Sequence, residues 1–166
     1  QYGKQGEIRS DPMAMLPFAG YNMGDYLRHW LDMGMRIPNP PLIFLVNWFR
    51  QDEQGRYLWP GFGENLRVLE WVLQRRRGEV AAVQSPIGYL PNEGALDMTG
   101  LDIPQEQMDQ LFAVDQQGWL QECDAVKAFF NSLGERMPQR LYDELDQLRY
   151  RLRRCCGPQG RFHMVW

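Results

Sequence analysis

Apolar residues recur at spacings of three and four in several stretches, and each such stretch predicts an amphipathic helix. From about Met23 to Met35, Tyr26, Leu27, Trp30, Leu31 and Gly34 share this period, and Pro38, Pro40 and Pro41 end it. A second helix is predicted from near Glu64 to about Arg77, with Leu66, Leu69 and Leu73 on one face and Val68 and Val72 on another. Gly78 suits the position just past its end. Two more close the chain. The first runs from about Gln116 to Ser132 and carries Trp119, Cys123, Val126, Phe130 and Leu133, with Asp115 as its predicted cap. The second runs from about Pro138 to Arg154 and carries Leu141, Leu145, Leu148 and Leu152. Stripes of this kind are core faces.

Elsewhere the period changes. Leu42 to Phe49 is apolar on both faces, which predicts a central strand. Asp52-Glu53-Gln54-Gly55 reads as a turn and Arg56 to Trp59 as a short returning strand, together a hairpin. Residues 79–103 are broken by Pro86, Gly88, Pro91, Gly94 and Gly100 into short elements and turns, and residues 1–10 read as a loop. The fold class is therefore mixed α/β: a β-hairpin and short strands covered by four or more helices, with further strands from a longer parent completing the sheet. The opening at Gln1 points the same way, and residues 155–166 read as an irregular tail.

Composition changes this picture little. Of 166 residues, 44% are apolar and 23% charged, which is ordinary for a globular domain rather than a disordered chain. A net charge of −3 gives no basic face for nucleic acid. Arg75-Arg76-Arg77 and the arginines from Arg149 to Arg154 read as solvated helix ends. No apolar run approaches the ~18 residues of a membrane span, and no secretory signal is visible. Cys123, Cys155 and Cys156 are odd in number and lack metal-ligand spacing, so Cys123 is expected to be a reduced core thiol in a cytoplasmic protein.

One segment carries candidate chemistry. Trp48, Phe49, Tyr57, Trp59 and Phe62 place five aromatics within fifteen residues, interleaved with glycine and proline turns. Flat side chains on rigid turns suit a flat ligand, since stacking needs only a π-face and is worth roughly 1–3 kcal/mol per base. Asn65, near a helix start, offers an amide donor and acceptor to a purine edge. The residues alone leave two readings open: a pocket for a planar heterocycle, and a packed aromatic minicore under a hairpin, the latter favoured.

A resemblance shifts that balance. Trp48-Phe49, Gly55-Arg56-Tyr57-Leu58-Trp59 and Pro60-Gly61-Phe62-Gly63-Glu64-Asn65 resemble the guanine-binding signature of the GTP-dependent phosphoenolpyruvate carboxykinases. Asp11-Pro12-Met13-Ala14-Met15-Leu16-Pro17-Phe18, His29-Trp30-Leu31, Val68-Leu69-Glu70-Trp71 and Pro86-Ile87-Gly88-Tyr89-Leu90-Pro91 extend the likeness from about residue 11 to about 152. It implies that residues 1–154 are part of that family's carboxy-terminal nucleotide-binding domain. It also implies the family's reaction, oxaloacetate and GTP giving phosphoenolpyruvate, GDP and carbon dioxide, in gluconeogenesis and with Mn2+ or Mg2+ in the intact enzyme. Phe49 and Phe62 would sandwich guanine with Tyr57 beside them. Trp48 would back the pocket wall, and Asn65 with the Gly63-Glu64 backbone would read the base edge. Tyr57 stands where the family often has Phe, and Leu16 where animal members have Arg.

Catalytic and metal-holding residues are not expected in this chain. No G-x-x-x-x-G-K-[ST] loop occurs in it. His29 lies on an apolar helix face and His163 in the tail, away from any Asp or Lys cluster. The chain is thus expected to hold nucleotide, to depend on the remainder of the parent enzyme, and to be inactive alone. The rival reading is a non-catalytic helical interaction module with Trp48, Trp59 and Phe62 as its patch.

Overall fold

A computed structural model describes residue 11 and residues 14–155. The loop expected at 1–10, the tail from 156 onward and His163 lie outside the described residues. The architecture is mixed α/β. Five helices, α1 (Met23–Arg36), α2 (Asn65–Arg77), α3 (Gln105–Phe112), α4 (Gln116–Ser132) and α5 (Gln139–Cys155), occur among the described residues. They are joined there by one antiparallel hairpin, β1 (Ala82–Ser85) and β2 (Gly88–Pro91). The described residues divide into two compact units, those up to 40 together with those from 115, and residues 41–114.

The first unit is helical. Asn22 caps α1: its Oδ1 accepts from the Gly24 N–H at 2.7 Å, while its Nδ2 donates to the Leu133 carbonyl at 3.0 Å. One side chain thereby satisfies an orphan donor and ties α1 to the end of α4. Arg28 donates to the Arg136 carbonyl, and Arg136 pairs with Asp25 at 2.7 Å. Beneath these polar ties Met23, Leu133 and Met137 are buried, with Tyr26, Leu27, Phe130, Leu141 and Tyr142 against them. The α4 stripe falls inside as its period predicts, and α5 buries Leu145 and Leu152. Arg149 reaches from α5 to Asp124 on α4 at 2.6 Å. Cys123 is a buried free thiol whose pKa burial pushes up.

Three expectations fail in this unit. Asp115 precedes α4 but makes no side-chain cap hydrogen bond, its carboxylate lying where a Cβ on Gly118 would stand. His29, placed on the apolar face by its spacing, is exposed. Trp30 is also exposed and instead meets Tyr26 edge-on at 6.0 Å.

The second unit departs further from the pattern. Leu42 to Phe49 forms no strand: residues 41–47 are irregular with no ladder partner, Trp48 and Phe49 lie in a turn, and Leu42, Ile43 and Leu45 are exposed. A strand exists only by pairing, and none of the described residues offers this segment an edge. The returning strand at 56–59 shrinks to a single bridge between Gln51 and Tyr57. The hairpin forms instead at 82–91, within the stretch read as short elements and turns, where the Ser85 hydroxyl donates to the Gly88 carbonyl. Helix α3 was not anticipated at all.

Helix α2 begins and ends where expected, Gly78 taking a φ of 75° at its C-terminus. Its buried side is Trp71, met edge-on by Phe44 at 6.3 Å, whereas Leu66, Leu69 and Leu73 are exposed. Arg75, in the last turn of α2, donates to the Val80 carbonyl just past the helix and lies over the Tyr89 ring.

The turn between Arg50 and Leu58 is built by Asp52. Its Oδ1 accepts from the Gln54 and Arg56 N–H groups, both at 2.9 Å, and its Oδ2 from Arg56 Nε at 2.7 Å. Gly55 supplies the φ of 77° that such a turn needs. The Arg56 backbone N–H, then its guanidinium and the Gln54 N–H, hold the Asp52 carboxyl below the usual aspartate value, with partial desolvation opposing.

Two outcomes are expected. Gly34 is an exposed helical glycine with open space around it, so Gly34→Ala stabilises by about 0.5–1 kcal/mol. A Cβ at Gly24 would lie 2.7 Å from the Arg136 carbonyl oxygen, so Gly24→Ala destabilises by about 1–3 kcal/mol despite being the same exchange in the same helix. Urea midpoints of the two variants, moving in opposite directions, check this. For Asp52, a depressed carboxyl pKa means that its contribution is complete above the ordinary aspartate value and is lost as pH falls below about 4. The Gln54 and Arg56 amide proton shifts should titrate together with a midpoint below that value, and Asp52→Asn should abolish the titration.

Candidate functional site

The segment from Asn47 to Asn65 lies wholly in the second unit, so its geometry is set by neighbours within residues 41–114. Asn47 Oδ1 accepts from the Phe49 N–H at 3.0 Å and closes the bend that carries Trp48 and Phe49. Opposite, the Asp52 turn brings Tyr57 alongside, so Phe49 and Tyr57 meet edge to face at 6.2 Å and 66°. Both rings stay accessible, Phe49 at 72% and Tyr57 at 59%. Phe62 is 92% exposed and makes none of the ring contacts among the described residues. The geometry thus pairs Phe49 with Tyr57 and leaves Phe62 outward.

Behind these rings the wall is packed. Trp48 is half-buried and tilted against buried Trp59, centroids 6.3 Å apart. The Trp59 indole Nε1 donates to Asn65 Oδ1 at 2.8 Å across the Pro60–Glu64 turn. Gly61 makes that turn possible, with a φ of 125° that a side chain would strain. Phe62–Glu64 then forms one 3-10 turn leading into α2. The Glu64 carboxylate is committed to Arg67 at 2.6 Å, and Arg67 also donates to the Asp97 and Thr99 carbonyls. Asp97 is held below the usual aspartate range by the Thr99 hydroxyl and N–H. The Glu64 backbone N–H donates to the Gly61 carbonyl at 3.1 Å within the same turn.

The residues that sequence reading missed are the ones that steady this segment. Arg50 donates to the Leu111 and Ala113 carbonyls at 3.1 and 2.8 Å, satisfying the carbonyl end of α3. Gln107 on α3 donates to the Leu58 carbonyl, and the Leu58 N–H to the Arg50 carbonyl. Between α3 and the Asp52 turn lies a polar groove of about 810 Å³ that includes Arg50, Tyr57 and Gln107 in its lining. Its arginines are already spent on Asp52 and on the α3 carbonyls. A Gln in a helix that the periodicity did not show carries no sequence signal.

Among the described residues no group of three or more His, Cys, Asp or Glu side chains is placed to hold a metal ion. No described helix is long and apolar enough to cross a membrane. The arrangement offers accessible aromatic faces, one half-buried carboxamide and backbone groups at a helix start. That is recognition chemistry for a flat, hydrogen-bonding ligand.

Comparison with known proteins agrees with the residue pattern. Residues 1–151 match the family model for the phosphoenolpyruvate carboxykinase C-terminal P-loop domain. The chain is 46% identical over 151 residues to a phosphoenolpyruvate carboxykinase [GTP] of Anaeromyxobacter sp. (strain K), covering 91% of this chain and 25% of that protein. It is 45% identical over 150 residues to the protein of the same name from Thermoplasma volcanium, covering 90% of this chain and 25% of that one. For Neocallimastix frontalis the identity is 48% over 151 residues, covering 89% of this chain and 25% of its relative. The chain spans about a quarter of the length of these relatives. It belongs to the GTP-dependent phosphoenolpyruvate carboxykinase family, as a carboxy-terminal portion of such a protein.

Proposed function

We propose that this chain is the guanine-nucleotide-binding portion of a cytoplasmic GTP-dependent phosphoenolpyruvate carboxykinase acting in gluconeogenesis. The parent decarboxylates oxaloacetate and transfers the γ-phosphoryl of GTP to the resulting enolate, releasing phosphoenolpyruvate, GDP and carbon dioxide. The observation that carries the reading is the exposure of Phe49, Tyr57 and Phe62, three rings on tight turns in the segment that ends at the Asn65 amide. An isolated globular unit gains nothing by leaving such rings in water, whereas a purine base covers them and stacks. In this assignment Phe49 and Phe62 hold the base from opposite faces with Tyr57 alongside. Trp48 backs the wall, and Asn65 with the Gly63-Glu64 backbone reads the edge. The Phe62 ring must swing inward when the base arrives, and its exposure leaves it free to do so.

The chemical step belongs elsewhere in the parent. Phosphoryl transfer depends on positioning and on charge neutralisation by metal and cationic groups. Among the described residues no group of three or more His, Cys, Asp or Glu side chains comes together, and the sequence has no G-x-x-x-x-G-K-[ST] motif. We assign both the metal site and the phosphate loop to the rest of the protein. The uncovered Leu42–Val46 segment and the Leu66, Leu69 and Leu73 face of α2 are where we expect that remainder to pack and to complete a sheet.

In the full-length parent, Phe62→Ala and Asn65→Ala should each weaken GTP by roughly 5- to 150-fold, the equivalent of about 1–3 kcal/mol. The KM for oxaloacetate should barely move. Steady-state kinetics with each substrate varied separately measures the split, and unchanged GTP affinity in both variants refutes the pocket. The isolated chain should form no phosphoenolpyruvate from oxaloacetate and GTP with Mn2+ present, and turnover there would overturn the assignment of the chemistry to the remainder.

A further inference from the structure

A carboxamide is a two-ended reader. Rotated by half a turn, Asn65 presents either an oxygen that accepts or an NH2 that donates, and free in solvent it does both at little cost. An unconstrained Asn at a base edge would therefore serve a purine carrying an amino group there about as well as one carrying a carbonyl. Something must decide which end faces the ligand.

The partner of Asn65 decides it. An indole N–H can only donate, so the atom facing Trp59 Nε1 at 2.8 Å has to be the Asn65 oxygen. Trp59 is itself 5% exposed and packs against Trp48, so it cannot turn away to release that oxygen. Its backbone is equally held, because the preceding Leu58 donates its N–H to the Arg50 carbonyl and accepts from Gln107. Gly61, at a φ of 125°, bends the chain back so that residue 65 returns to residue 59. Flipping the amide would set an NH2 against a buried N–H and leave both unpaired.

We propose that Trp59 is a specificity-determining positioning residue: by holding the Asn65 oxygen, it turns the amide NH2 toward the ligand and so favours purines that present a carbonyl at that edge. The inference rests on the reading that Asn65 meets the base. It adds that the selectivity resides in a donor-only neighbour rather than in Asn65 alone. A 6-amino purine such as adenine then meets donor against donor at its amino group, which leaves two polar groups unpaired once the base covers them.

The test uses the full-length enzyme containing this chain, with kcat/KM for GTP and for ATP measured in parallel. Trp59→Phe keeps a ring in the wall and removes the N–H. The expected result is a fall of at least about tenfold in the GTP-to-ATP preference, the scale set by one unpaired buried donor. A merely structural weakening lowers both nucleotides together, and an unchanged ratio overturns the proposal. Asn65→Ala separates the two readings. If it leaves the preference intact, Asn65 does not read the base and both fall. If it collapses the preference while Trp59→Phe does not, only the orienting role of Trp59 falls. Should Trp59→Phe fail to fold, Asn65→Asp still accepts from Trp59 and puts an oxygen where the NH2 stood. That variant should lose GTP preferentially, and retained preference for GTP overturns the proposal.

Discussion

Between Trp59 and Asn65 the chain must reverse within a few residues, and a single hydrogen bond from the indole closes that reversal. Much of the candidate site follows from it. The bond sets the start of α2 against the aromatic wall, and it puts Gly63 and Glu64 on the tip of the turn with Phe62 outward. It works only because both of its ends are supported. Trp48 covers the indole, Gly61 adopts a backbone angle closed to other residues, and Arg67 anchors Glu64 and the 97–99 loop to the first turn of α2.

The helical unit solves a similar problem with different chemistry. Asn22 uses both ends of its amide, one on the α1 N-terminus and one on Leu133, so its orientation too is dictated by partners of fixed polarity. Where Asn22 has both ends engaged within the protein, Asn65 has one end engaged and one to spare. In the proposed assignment, that contrast separates an amide used for structure from an amide turned to a ligand.

Surfaces left bare are as informative as those packed. Leu42, Ile43 and Leu45 lie on an unpaired irregular segment, and Leu66, Leu69 and Leu73 are exposed on α2. A chain spanning a quarter of its relatives' length would be expected to show such faces, since much of what buries them would lie outside it.

Local sequence determined the helices whose burial is supplied by nearby chain. The α4 stripe from Trp119 to Leu133 and the α2 end at Gly78 were legible because period, capping glycine and α-helical hydrogen bonds are all short-range. The aromatic cluster and Asn65 were legible as residue types with a family likeness. Other features needed tertiary structure. Leu42–Phe49 has the composition of a buried strand, yet a strand requires a partner that none of the described residues provides. Helix α3 was hidden because a short, Gln-rich segment carries a weak period, though its Gln107 steadies Leu58. The pairing of Phe49 with Tyr57 and the locking of Asn65 by Trp59 depend on how turns fold back through space. No spacing along the chain encodes that, so only the three-dimensional arrangement decided which end of the amide faces outward.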